Sequence, residues 1–151
     1  MEKVILITED EKIGQLVARF IRILLPDAVV LVDEDGLNAD SRAAADQPDF
    51  IIIDSQLQQV ASDTIGKLLR QNEATTAIPL IGTGPEPKDL AARRLSILTN
   101  AWIAKPTPIW SLSQAIQSVM QGSKPDLWAP APKNWLRLPE RENNHRLSLV
   151  S

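Results

Sequence analysis

Apolar residues recur along residues 1–121 in two alternating patterns. Short continuous apolar runs, typical of strands buried on both faces, occupy residues 4–8, 28–32, 50–53, 78–81 and 101–104. The segments between these runs repeat apolar residues at every third or fourth position, which predicts amphipathic helices. These helices are predicted at residues 13–24, 37–45, 61–70 and 88–97, and in a fifth segment that carries Leu112, Ile116, Val119 and Met120.

The strict alternation of strands and helices indicates an α/β fold, with a parallel sheet covered on both faces. Right-handed crossovers leave few topologies for five strands, and we predict the flavodoxin-like order 2-1-3-4-5. Residues 82–85, with the sequence Gly-Thr-Gly-Pro, are predicted to form a loop after the fourth strand. In this topology, ligands bind at the carboxyl ends of strands 1 and 3.

The composition narrows the available chemistry. The chain has no cysteine and a single histidine, His145, so thiol nucleophiles, cysteine-based zinc sites and Ser-His-Asp catalysis lack their parts. A net charge of -3 gives no general reason to expect DNA binding. The N-terminus lacks the features of a signal peptide, and no segment approaches the roughly 18 apolar residues of a membrane span. We therefore expect a cytoplasmic protein that uses carboxylates, hydroxyl groups and lysines.

Polar residues collect where the predicted strands end. Glu9 and Asp10 follow strand 1, Asp54 follows strand 3, Thr83 follows strand 4 and Lys105 follows strand 5. Neighbouring strands lie about 4.8 Å apart, so these side chains can converge on one pocket. Two carboxylates about 5 Å apart repel each other by about 3 kcal/mol at an effective dielectric constant of about 20. A divalent cation such as Mg²⁺ would relieve that repulsion.

This combination of residues predicts phosphoryl chemistry with Asp54 as the nucleophile, which would form an acyl phosphate. Thr83 can donate a hydrogen bond to a phosphoryl oxygen, and Lys105 can neutralise another oxygen. Each residue alone also has a simpler interpretation. Asp10 can cap the first helix, Thr83 can be a turn residue, and Lys105 can be an exposed lysine. The joint position at the ends of different strands favours the common site.

At these residues the chain resembles the receiver domain of two-component response regulators. The resemblance covers about residues 1–121 and is carried by four segments: Ile5-Leu6-Ile7-Thr8-Glu9-Asp10-Glu11, Pro48-Asp49-Phe50-Ile51-Ile52-Ile53-Asp54, Ile78-Pro79-Leu80-Ile81-Gly82-Thr83-Gly84 and Trp102-Ile103-Ala104-Lys105-Pro106. It implies the following roles: Asp54 as phosphoacceptor, Lys105 as phosphate-binding lysine, Thr83 as switch residue, Trp102 as switch aromatic, and Glu9, Asp10, Asp54 and the backbone carbonyl of Gln56 as Mg²⁺ ligands.

The resemblance further implies that a sensor histidine kinase or phosphotransfer protein donates the phosphoryl group. Such a domain catalyses only its own phosphorylation and dephosphorylation. The modification then repacks the surface of helix 4, strand 5 and helix 5, to which Trp102 and Trp110 would lie close, and this surface binds a downstream protein rather than DNA.

The chain departs from the receiver pattern at several positions. Gln58 and Ser62 replace the usual proline and glycine after the phosphoacceptor, and Leu98 stands where a glycine commonly precedes strand 5. The spacing back from Lys105 favours Thr83 as the switch residue, but a shift of one residue would put Gly84 there. An alternative interpretation is therefore a degenerate receiver that binds a protein without being phosphorylated.

Residues 122–151 differ in composition from the part before them. This segment is rich in proline, contains Trp128 and Trp135, and carries five basic and three acidic residues. We predict a C-terminal extension without an independent fold that follows a receiver domain at residues 1–121. The hypothesis is that the extension covers part of the surface of helices 4 and 5 or exchanges between the subunits of a homodimer. The alternative is the remnant of a linker.

Overall fold

A computed structural model describes residues 2–34, 36–105 and 108–121, together with the backbone of residues 137–140 and 146–148. The main strands are β1 (Lys3–Ile7), β2 (Val29–Asp33), β3 (Phe50–Asp54), β4 (Leu80–Gly84) and β5 (Ala101–Ala104). The helices are α1 (Glu11–Leu24), α2 (Ala39–Asp46), α3 (Ser62–Gln71), α4 (Leu90–Leu98) and α5 (Ile109–Gln121). Strands and helices thus alternate as the sequence predicts.

The five strands form one parallel sheet in the order β2-β1-β3-β4-β5, which confirms the predicted topology. The strands are in close register at their carboxyl ends. Ile7 lies beside Ile53, and Asp54 lies beside Thr83, which in turn lies beside Ile103. The residues that follow β1, β3 and β5 therefore leave the sheet at the same edge.

The sheet separates two apolar cores. Side chains alternate between the faces of a strand, and in β3 the side chains of Phe50 and Ile52 pack with α1 and α5 while Ile51 and Ile53 pack on the opposite side with α2 and α3. All four of these side chains are fully buried. Burial on both faces explains why the strands appear in the sequence as continuous apolar runs.

The fourth strand differs from its prediction. Residues 82–84 continue β4 and pair with β5, whereas the sequence predicts that they begin a loop. The strand also starts later, at Leu80, because the backbone N–H group of Ile78 is bound in a turn to the carbonyl oxygen of Thr75. Glycine is unfavourable inside strands in general. Here the indole ring of Trp102 covers Gly82 and occupies the space that a side chain would fill.

The Arg70 side chain connects three segments near the amino-terminal edge of β4 and β5. Its Nε donates a hydrogen bond to the carbonyl oxygen of Leu98 at 3.0 Å, and Nη1 donates to the carbonyl oxygens of Thr76 and Ile78 at 2.8 Å. Nη2 donates to Asn100 Oδ1, also at 2.8 Å. Desolvation by burial lowers the pKa of the Arg70 guanidinium. The group nevertheless stays protonated at neutral pH, so it supplies charged donors to three backbone carbonyls.

Replacing Arg70 with methionine keeps the aliphatic stem but removes these donors. We expect the free energy of unfolding to fall by about 2 kcal/mol, since hydrogen bonds from a charged group are lost and partly buried carbonyls remain unpaired. Urea unfolding followed by circular dichroism measures this change. Lys67→Met, at an exposed position in the same helix, is the matched control and is expected to change stability by less than about 0.5 kcal/mol. Equal stability of the two variants would contradict the prediction.

Only the backbone of two short strands is described within residues 122–151. These strands, β6 (Arg137–Glu140) and β7 (Arg146–Ser148), pair in the antiparallel direction. The rest of the extension, including Trp128 and Trp135, lies outside the described residues, so its lack of an independent fold and its docking or exchange stay predictions. Among the helices in the described part of the chain, none has the length and apolar character needed to span a membrane.

Candidate functional site

Asp54 is the last residue of β3 and is 5% exposed. The apolar residues before it anchor the strand in both cores, which brings a carboxylate to the edge of the sheet. Its backbone is fixed there, since the carbonyl oxygen accepts a hydrogen bond from Ser62 Oγ and the next residue, Ser55, donates its N–H group to the carbonyl oxygen of Thr83 at 2.8 Å.

The Asp54 carboxylate binds three groups among the described residues. Lys105 Nζ lies 2.9 Å from both Oδ1 and Oδ2. Oδ1 also accepts a hydrogen bond from the backbone N–H group of Gln56 at 2.9 Å, and Oδ2 accepts one from Thr8 Oγ1 at 3.1 Å. The structure therefore brings together Asp54 and Lys105, as the sequence predicts.

Lys105 comes directly after β5, and its backbone N–H group donates to the carbonyl oxygen of Gly84 at 2.8 Å. From this position its side chain reaches past β4 to Asp54 on β3. Nζ also donates to the Gln56 side-chain oxygen at 3.0 Å. The Lys105 side chain is 21% exposed and the Asp54 side chain is 6% exposed, so the ion pair has a protected carboxylate and an ammonium group that solvent can reach.

Glu9 and Asp10 both accept hydrogen bonds from nearby backbone N–H groups. Both oxygens of Glu9 accept hydrogen bonds at 2.9 Å from the N–H group of Gln58, and Oε2 also accepts one from Gln59 at 2.9 Å. Glu9 thereby holds the loop between β3 and α3. Asp10 Oδ1 accepts from the N–H group of Ile13 at 3.1 Å and caps α1, in agreement with the simpler interpretation of this residue.

The donor types at this edge suit Mg²⁺, which prefers carboxylate and carbonyl oxygens. Within the described ranges, no three histidine, cysteine, aspartate or glutamate side chains are gathered so that they could hold a metal ion. Glu9 and Asp10 bind backbone N–H groups, and the cation that faces Asp54 is the Lys105 ammonium group. The metal role of these residues stays a prediction.

Neutralising Glu9 is expected to loosen the loop between β3 and α3. In Glu9→Gln, charge-assisted hydrogen bonds to the N–H groups of Gln58 and Gln59 become weaker neutral ones, a difference of about 1 kcal/mol. We expect the amide hydrogens of both residues to exchange about fivefold faster, measured by hydrogen exchange with NMR detection. The control is Glu11→Gln, which changes an exposed carboxylate in the first turn of α1. Unchanged exchange at both loop amides would contradict this role for Glu9.

Thr83 and Gly84 lie on opposite faces at the end of β4. Alternation along the strand puts Thr83 on the same side as Ile81, toward α1 and α5, where it is 5% exposed. The side-chain hydrogen bonds described for Asp54 do not include Thr83. Gly84 faces the other way, and a Cβ atom at this residue would overlap Ser55 Oγ. Which of the two residues acts as the switch stays a prediction.

Trp102, on β5, is 5% exposed and faces the core next to α2, α3 and α4. A Cβ atom on Gly82 would lie only 2.5 Å from its Cε3 atom, so the ring rests directly on the backbone of β4. Its Nε1 donates to the carbonyl oxygen of Pro85 at 3.3 Å. The ring therefore points inward. Trp110 is half-buried in the first turn of α5.

Two residues at the site are absent from the predicted set. From the sequence, Thr8 is included in the first apolar run and in the first receiver segment without being given a role, and Ser62 is included only as a departure from the receiver pattern. Their signal in the sequence is weak but present, because Thr8 is a hydroxyl residue between an apolar run and an acidic pair, and Ser62 follows Asp54 at the start of a helix. A buried hydroxyl group needs a hydrogen-bond partner, and Asp54 provides one for each.

In comparisons of sequence, neither a family model nor a curated protein matches the chain. Solved structures do match. The receiver domain of a sensor histidine kinase from Pseudomonas aeruginosa superposes with a TM-score of 0.72 at 18% identity, over 80% of this chain and 98% of the other. This chain has the fold of a response-regulator receiver domain.

Two further receiver structures support the same conclusion. The chemotaxis protein CheY4 of Vibrio cholerae has a TM-score of 0.69 at 21% identity, over 79% of this chain and 98% of its own. The signal receiver domain of a DNA-binding response regulator from Colwellia psychrerythraea has a TM-score of 0.71 at 18% identity, over 80% of this chain and 99% of its own. The resemblance predicted from the four sequence segments is thus confirmed at the level of the receiver fold.

Proposed function

We propose that the chain is a phospho-accepting receiver in two-component signal transduction. Asp54 takes a phosphoryl group from a histidine kinase or a phosphotransfer protein, and the modified domain signals by protein contact. One observation carries the proposal: within a receiver fold, the carboxylate that ends β3 is bound through both oxygens to the lysine that follows β5. The kinase, the downstream protein and the absence of direct DNA binding are parts of the proposal.

The transfer step follows from the chemistry of these two side chains. A carboxylate oxygen of Asp54 attacks the phosphorus atom, the bond between phosphorus and the donor's imidazole nitrogen breaks, and an acyl phosphate forms. The Lys105 ammonium group, which is partly exposed, then binds a phosphoryl oxygen in place of the lost carboxylate charge. Positioning and charge neutralisation supply most of the catalysis in phosphoryl transfer.

We include Mg²⁺ in the proposal because carboxylate and carbonyl oxygens, the ligands that it prefers, are present at this edge of the sheet. Glu9, Asp10, Asp54 and the carbonyl group of Gln56 are the predicted ligands. The Pseudomonas receiver domain has a magnesium ion coordinated in its active-site cleft. The Glu9 carboxylate accepts hydrogen bonds from the loop amides of Gln58 and Gln59 and keeps further lone pairs with which it could bind the metal ion. Glu9 would then connect the ion to the loop between β3 and α3.

The test is incubation of the full chain with acetyl phosphate, with and without Mg²⁺, followed by intact-mass analysis. We expect one phosphoryl group on the wild-type chain, located on Asp54 by peptide mapping. Asp54→Asn should remove the modification completely, whereas Asp27→Asn, at an exposed turn, should retain it. A wild-type chain that gains no phosphoryl group from acetyl phosphate or from a purified histidine kinase would refute the proposal.

A second candidate is a receiver that binds its partner without phosphorylation. The observation in its favour is that Glu9 and Asp10, two of the predicted metal ligands, both accept hydrogen bonds from backbone N–H groups. A pull-down distinguishes the two functions. Phosphorylation-dependent signalling predicts that beryllofluoride changes the set of captured proteins, while the second candidate predicts the same partners for the treated wild type, the untreated wild type and Asp54→Asn.

A further inference from the structure

Thr8 is the first residue after β1, and its hydroxyl group is buried at the proposed acceptor site. The residue is 2% exposed. Oγ1 donates a hydrogen bond to Asp54 Oδ2 at 3.1 Å and accepts one from the backbone N–H group of Asp10 at 3.3 Å. Neither contact follows from the roles already given to Asp54 and Lys105.

The conformation of Thr8 is fixed by its surroundings. Its Cγ2 atom packs against Gly14 of α1, where a Cβ atom would lie 3.1 Å away. A β-branched side chain has restricted rotation about χ1, so contact of the methyl group with the helix also determines the direction of the hydroxyl group. The N–H group of Asp10 orients the oxygen lone pairs, which leaves the hydroxyl proton directed at Asp54.

The three contacts of the Asp54 carboxylate differ in how they constrain its orientation. Lys105 Nζ lies at the same distance, 2.9 Å, from both carboxylate oxygens, so it neutralises the charge without distinguishing one oxygen from the other. Thr8 binds Oδ2 alone, and the N–H group of Gln56 binds Oδ1 alone. These two directional hydrogen bonds define the rotation of the carboxylate. Of the two donors, only Thr8 is a side chain.

We propose that Thr8 is a positioning residue for phosphoryl transfer, which holds the Asp54 carboxylate in the orientation required for attack on the phosphorus atom. This inference rests on the proposed function. The hydroxyl group keeps its proton throughout: the new bond joins an Asp54 oxygen to phosphorus, and the electron pair of the broken bond leaves with the imidazole or acetate of the donor. Thr8 therefore affects the rate of the step and takes no part in its proton balance.

The test compares Thr8→Val, which keeps the shape but removes the hydroxyl group, with Thr8→Ser, which keeps the hydroxyl group. Acyl phosphate formation is followed by intact mass over a range of acetyl phosphate concentrations. We expect the maximal rate to fall about tenfold in Thr8→Val, because correct orientation of the nucleophile is lost. The half-saturating concentration should stay within about twofold, since Thr8 does not bind the donor, and Thr8→Ser should recover at least half of the wild-type rate.

The outcomes separate this inference from the proposed function. A wild-type chain that is never phosphorylated refutes both. A phosphorylated wild type with an equal rate in Thr8→Val refutes the role of Thr8 alone, and so does a Thr8→Ser variant that is as slow as Thr8→Val, because the effect then comes from packing against Gly14. If Thr8→Val does not fold, Thr8→Ala also removes the hydroxyl group without adding a methyl group, and its comparison with Thr8→Ser decides the question in the same way.

Discussion

Gly82→Ala is expected to lower the free energy of unfolding by about 3 kcal/mol, in the upper part of the range for overpacked cores. The added Cβ atom would lie 2.5 Å from Cε3 and 2.7 Å from Cζ3 of Trp102, well inside van der Waals contact. Neither the backbone at Gly82 nor the ring of Trp102 can easily move away. Gly82 is paired on both sides, with Ile53 of β3 and Trp102 of β5, and the indole ring is enclosed by a core and donates a hydrogen bond to the carbonyl oxygen of Pro85. Denaturant unfolding measures the loss.

Gly66→Ala is the matched control. At this position in α3, a Cβ atom would meet the Cδ1 atoms of Leu95 and Leu98 at 3.1 and 3.3 Å, and these are the ends of flexible side chains. Alanine also favours a helix over glycine by about 1 kcal/mol. We therefore expect a neutral or stabilising change. Equal effects of Gly82→Ala and Gly66→Ala would contradict the proposed clash.

A second substitution identifies the source of the loss. Trp102→Leu removes the ring that the new Cβ atom meets, although it also leaves a cavity. If the clash is with the ring, Gly82→Ala should cost at least about 1 kcal/mol less in the Trp102→Leu background than in the wild type. Additive effects of the two substitutions would instead locate the cost in the backbone of β4.

Lys105→Met is expected to lower the free energy of unfolding by about 2–3 kcal/mol. Removing one partner of a buried ion pair typically costs about 3–5 kcal/mol, and the exposure of the Lys105 side chain reduces this figure because solvent already screens its charge. The Asp54 carboxylate keeps its hydrogen bonds to Thr8 and Gln56 but loses its only described cationic partner. Urea unfolding at neutral pH gives the value.

A double-mutant cycle with Asp54→Asn isolates the ion pair. In Asp54→Asn there is no charge to compensate, so the same Lys105→Met substitution should cost less than about 1 kcal/mol. Lys88→Met is the control, because Lys88 is strongly exposed and its only described ion pair is a weak contact with Glu86 at 3.9 Å. If Lys105→Met costs as much beside asparagine as beside aspartate, the stabilisation comes from the lysine stem and not from the charge.

The sequence predicted the fold well because its signal is distributed over many residues. Five strands buried on both faces each require an apolar run, and one exchanged residue does not erase such a pattern. The prediction for the end of β4 is wrong because Gly82 fits in the strand only through its contact with Trp102, which lies far away in the sequence. The fit of Gly82 against Trp102 is a tertiary contact, and no local propensity contains it.

The sequence predicts only part of the candidate site, because the topology determines where strands end but not which groups each side chain binds. Asp54 and Lys105 meet because each lies at the end of a strand whose position the topology determines. Backbone position alone does not determine the partners of Glu9 and Asp10, because each carboxylate can turn to several donors at the same edge. The loop amides of Gln58 and Gln59 and the first turn of α1 provide those donors.

The packing of Trp102 on Gly82 has a consequence for natural variation. The largest side chain of the sheet occupies the space left by the smallest residue of the adjacent strand, so the two positions cannot change independently. Among homologues of this chain, we expect any residue larger than glycine at position 82 to occur together with a smaller side chain at position 102. Selection would then retain a substitution that enlarges residue 82 in β4 only together with one that shrinks residue 102 in β5.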